Sequence, residues 1–84
     1  MLTQDQVRVA LRATIDALPR PGADVVDVDH NRFRIVAGTA ETALRTATVW
    51  TDRNRSWRVL EAEGKGGEQF TLWLTVAHPD ATTA

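Results

Sequence analysis

Several groups of residues in this chain carry side chains that could do chemistry, and each has a plainer explanation beside it. Asp27-Val28-Asp29-His30-Asn31 sets two carboxylates two residues apart, with an imidazole and an amide next to them, like the opening of a calcium-binding loop. Counting on, the position that needs glycine for its turn is Arg32, and the position that needs a bidentate glutamate is Gly38. A looser metal site from Asp27, Asp29 and His30 is conceivable, but an edge strand kept soluble by charge, with Arg32 and Arg34 as counter-ions, accounts for the same residues.

Glu61 and Glu63 are the paired carboxylates nearest the aromatic residues, and centring the following turn sets Glu61 beside Phe70 on the inner side of a hairpin. A carboxyl shielded there could act as a general acid or base. The open end of a twisted hairpin explains the pair without catalysis. His30 and His78 are far apart with no cysteine near either, which is not ligand spacing. Ser56, the one serine, lacks a strand-to-helix elbow and a neighbouring base. Gly64-Lys65-Gly66-Gly67 lacks both the Walker spacing and a following helix, so it is read as a turn. No catalytic residue, cofactor site or metal site is assigned, and the chain is not expected to be an enzyme.

The remaining candidate is a surface. Gln69-Phe70-Thr71-Leu72-Trp73-Leu74-Thr75-Val76 alternates, which puts Trp73 on the side opposite Phe70, Leu72, Leu74 and Val76. The hairpin registers place Arg58 beside Trp73, with Leu60, Val49, Arg45 and Arg34 on the same outer face. An aromatic residue among arginines in a small apolar field is the composition of an interface hot spot. A tryptophan covered by an arginine stem is also ordinary surface packing.

Elements that would position these residues follow from local pattern. Thr3 and Gln6 form a capping-box sequence, and Val7, Leu11, Ile15 and Leu18 recur at helical spacing, so a helix is expected over 3–18. Pro19-Arg20-Pro21-Gly22 ends it. From residue 24 the period changes to two. Strands are expected at 24–29 and 32–36 around a His30-Asn31 turn, at 42–51, which is rich in Thr and Val, at 56–63, and at 69–76. In that register Trp50 pairs with Trp57, Ile35 with Leu44, Val26 with Ile35, and Val59 with Leu72. The expected fold is α+β: one N-terminal amphipathic helix on one face of a four- to five-stranded antiparallel meander, in the order α-β-β-β-β-β. Residues 1–84 form a single domain, with the sheet over 24–78 and a disordered tail at 79–84.

Composition narrows the function classes. Eighty-four residues suffice for one small core, whose stability is modest and gains from association with another copy. The absence of cysteine removes disulfides and thiolate chemistry, and suggests a cytoplasmic protein. The N-terminal residues lack a signal-peptide pattern, and no apolar run is long enough to span a membrane. Ten basic and eleven acidic side chains give a net charge of −1, so no global field draws the chain to nucleic acid or to a membrane. Nine of the ten cations are arginine, with Lys65 the exception. The expectation is a small non-enzymatic interaction module whose partner is another protein or a second copy in a homodimer. The alternatives are nucleic-acid binding by the Arg/Trp face, with Arg32, Arg53 and Arg55 assisting, and a small-ligand pocket lined by Trp50, Trp57 and Phe70.

Overall fold

The capping box forms as the sequence dictates. Thr3 Oγ1 accepts from the Gln6 backbone N–H at 3.2 Å, and Gln6 Oε1 accepts from the Thr3 N–H at 2.9 Å. The helix they start, α1 (Gln4–Asp16), buries Val7, Leu11 and Ile15 along one stripe. The chain then reverses through Gly22, whose φ of 79° is a conformation only glycine adopts without strain. In this computed structural model residues 2–29 and 31–78 are described. His30 of the expected turn and the 79–84 tail lie outside them.

Four strands and a second helix follow α1. They are β1 (Ala23–Asp29), β2 (Arg32–Ala37), α2 (Ala40–Arg53), β3 (Arg58–Lys65) and β4 (Phe70–Ala77). The class is α+β with a four-stranded antiparallel sheet, and two features differ from expectation. The segment expected as a strand over 42–51 is α2. The sheet order is β1-β2-β4-β3, so β4 returns between β2 and β3 rather than extending a meander.

The helix forms because its apolar residues recur three and four apart. Ala43, Thr46 and Trp50 are buried on one side, with Ala47 packed partly against the same core. Thr39 caps the start by accepting from the Thr42 N–H at 3.2 Å. Threonine disfavours helix interiors by crowding and by competing for backbone bonds. Here the competition is settled inside the helix: Thr46, Thr48 and Thr51 each donate at 2.9 Å to the carbonyl four residues back, those of Thr42, Leu44 and Ala47.

Both helices lie on one side of the sheet. α2 packs against β1, β2 and β4, and α1 against β1. Beneath them the covered face presents Val25, Phe33, Ile35, Leu72, Leu74 and Val76, all buried. Trp50 descends into this layer, 5.0 Å from the Phe33 ring and 6.3 Å from Trp57 between ring centroids. The two tryptophans are therefore core neighbours, as the sequence implies, but they meet as α2 approaches the bend before β3, not as cross-strand partners.

Candidate functional site

Among the described residues no helix lies over the other face of the sheet, whose rows are fixed by strand register. Residues opposite one another in antiparallel strands share a face. The central row runs Val26, Arg34, Trp73, Glu63 across β1, β2, β4 and β3. On one side of it lies Asp29, Arg32, Thr75, Glu61, and on the other Asp24, Val36, Thr71, Lys65. Read along the strands, β2 contributes Arg32 and Arg34, β4 contributes Thr71, Trp73 and Thr75, and β3 contributes Glu61 and Glu63. A basic strip and an acidic strip thus flank a neutral strip with an indole at its centre.

A bulge produces the acidic strip. The register of β3 on β4 shifts between Val59 and Glu61, leaving Leu60 as the extra residue. Beyond it every side chain changes face relative to an unbroken strand. Glu61 consequently stands opposite Thr75 on the uncovered side, not beside Phe70 on the inner side, and the acid–base role that depended on shielding has no structural basis there. Glu61 and Glu63 are both exposed. With Arg32, Trp73 and Thr75 they line a depression of about 230 Å³.

The cations are held differently from the carboxylates. Arg32 and Arg34 are only partly exposed, and the Nε atom of each is shielded from water without a hydrogen-bond acceptor. Their stems lie between β1 side chains and those of Trp73 and Thr75, a common arrangement for long cationic side chains on apolar surface. Among the described residues the recorded ion pairs are Arg12–Asp16, Arg20–Asp16 and Arg45–Glu41. None joins the β2 arginines to the β3 glutamates, which stand two strands apart.

The six residues expected at the interface divide. Trp73 and Arg34 are neighbours on the uncovered face. Arg58 pairs with Ala77 at the far end of β3 and does not flank Trp73. Leu60 is the bulge residue, 56% exposed on the edge strand. Arg45 and Val49 belong to α2, on the opposite side of the sheet. Arg45 reaches Glu41 at 2.7 Å, and Val49 leans on the core. Arg53 and Arg55 lie at the end of α2 and in the turn after it, also off the sheet face. Glu61 and Glu63 were missing from the expected surface, because the bulge that brings them there leaves no composition signal.

The other chemistries find little support in the arrangement. Among the described residues no three His, Cys, Asp or Glu side chains gather as metal ligands would. Trp50 and Trp57 are buried against one another, while Phe70 sits at the sheet margin over Gly64. No described helix is long and apolar enough to cross a membrane. A second apolar surface lies along α1 at Leu2, Val9, Ala10 and Ala13, with Val9 70% exposed, but it lacks the paired charges of the sheet face. Comparison with protein-family models, with curated proteins and with solved structures finds no match to this chain.

Proposed function

We propose that this protein is a non-enzymatic interaction module that docks a protein partner on the uncovered face of its sheet. The observation that supports this reading is the row Arg34–Trp73–Glu63, in which an indole stands between a cation and an anion that form no recorded ion pair with each other or with another of the described residues. Such a row offers a partner one apolar anchor and two charges of opposite sign.

Nucleic acid fits this face less well. Glu61 and Glu63 border Trp73 on one side, where a base stacked on the indole would bring its phosphates against two carboxylates. Capture from the source cell with wild-type protein and with Trp73→Ser tests the reading, with folding of the variant checked by circular dichroism. The expected result is a protein held by the wild type and lost from the variant. Identical captures from both would overturn it.

A further inference from the structure

We infer that the partner fitted to this face is a second copy of the same chain, packed face to face about a two-fold axis that runs parallel to β4 through Trp73. The inference rests on the interaction reading above and names its occupant. It follows from the order of the strips. A two-fold axis in the plane between two sheets, parallel to the strands, keeps each row at its own height and exchanges left with right. The β2 strip of one copy then lies over the β3 strip of the other. Arg34 faces Glu63 and Arg32 faces Glu61, twice each by symmetry, while the Trp73 indoles meet at the axis.

The alternative axis, perpendicular to the strands, lays β2 over β2 and β3 over β3. With that axis through Trp73, Arg34 opposes Arg34, Glu63 opposes Glu63 and Asp29 opposes Asp24, against one favourable contact type, Glu61 over Lys65, so the charges select the parallel axis. In the selected arrangement Lys65 falls over Val36, where its aliphatic stem can pack, and no like charges are brought together in the three central rows. Stacked sheets stand ~10 Å apart, a gap that an arginine and a glutamate reaching from opposite sides can bridge.

Lengthening the sheet through its β3 edge is another route to a dimer, and charge opposes the registers centred on Glu61, Ala62 and Glu63. Antiparallel pairing of β3 with its copy about Ala62 sets Glu61 against Glu63, and pairing about Glu61 or Glu63 sets that residue against itself. The charges that guard the edge are the ones that complement the face.

The sheet face covers on the order of 400 Å² per copy, below the ~800 Å² of a standard interface, so the association is weak and depends on protein concentration. Sedimentation velocity from about 1 µM to about 500 µM is therefore the measurement, on wild type, R32E/R34E, E61R/E63R and an equimolar mixture of the two variants. Wild type should self-associate, less at high salt. Each variant alone should show a dissociation constant raised at least about tenfold, and the mixture should recover a heterodimer at wild-type strength or better.

A wild type that is monomeric throughout, a dimer indifferent to both reversals, or two folded variants that do not combine would each overturn the inference. If R32E/R34E does not fold, E61R/E63R decides alone, because Glu61 and Glu63 are both exposed on the edge strand. An unchanged dissociation constant there also overturns the inference. A monomeric wild type leaves the broader interaction reading to the Trp73→Ser capture, so the two can fail separately.

Discussion

The indole Nε1 of Trp50 donates a hydrogen bond of 3.1 Å to Oγ1 of Thr14, 36 positions earlier in the chain. Thr14 Oγ1 in turn donates to the Leu11 carbonyl at 2.7 Å, so one hydroxyl joins α2 to α1 and satisfies the polar end of a fully buried tryptophan. Thr14→Val keeps the shape and removes the acceptor. An indole N–H left without a partner costs about 1 to 3 kcal/mol, and the loss should appear as a lower urea midpoint with an unchanged slope.

Thr48→Ala separates a helical from an extended α2 by sign. Thr48 is exposed, and among the described residues its hydroxyl bonds to the Leu44 carbonyl. Alanine is the better helix former by up to ~0.7 kcal/mol, so the substitution should leave thermal stability unchanged or raise it slightly. In a strand the same change would lower it.

Gly64 has a packing reason to be glycine. A Cβ there would stand 2.6 Å from the tip of the Phe70 ring, which lies across the glycine from the neighbouring strand. Gly64→Ala must push the half-buried ring aside, at about 1 kcal/mol or somewhat more. In a Phe70→Leu background the added methyl should cost less, and a double-mutant cycle by chemical denaturation should report coupling between the two positions.

Arg45 lies on the helical layer, paired with Glu41 on the same turn-spaced face. Arg45→Ala should change stability by less than about 0.5 kcal/mol and leave any association through the sheet face as it was. Melting curves and sedimentation together check both parts.

Helix α1 and the inner faces of β2 and β4 were legible because period and burial agree there. Val7, Leu11 and Ile15 carry a helical period, and Phe33, Ile35, Leu72 and Leu74 carry a period of two under a covered face. Trp73 and Arg34 on the reverse side followed from the same alternation. Helix α2 was not legible by composition, since Thr and Val are strand formers and the hydroxyl bonds that reconcile threonine with a helix depend on the helix already being there. Its apolar spacing, Ala43, Thr46, Ala47 and Trp50, was the signal that propensity masked. In β1 the buried residue opposite Ile35 is Val25, and Val26 points to the uncovered side beside Arg34, because the register of β1 on β2 shifts by one residue between Asp27 and Asp29. The bulge at Leu60 moved Glu61 between faces by the same kind of one-residue shift.

The position of β4 also dictates when the fold can form. It is the last strand to be synthesised among the described elements, yet it occupies the interior of the sheet and supplies the only hydrogen-bonded neighbour of β3. Until it emerges, β2 has an open edge and β3 has nothing to pair with, so no partial sheet larger than the β1–β2 hairpin exists. At about 5 to 20 residues per second, translation leaves that edge bare for a few seconds between β2 and β4. Productive folding must wait for a pairing between distant parts of the chain, which places this small protein among the slower mixed α/β folders. The same delay makes the nascent chain, more than the finished one, the form that is vulnerable to aggregation.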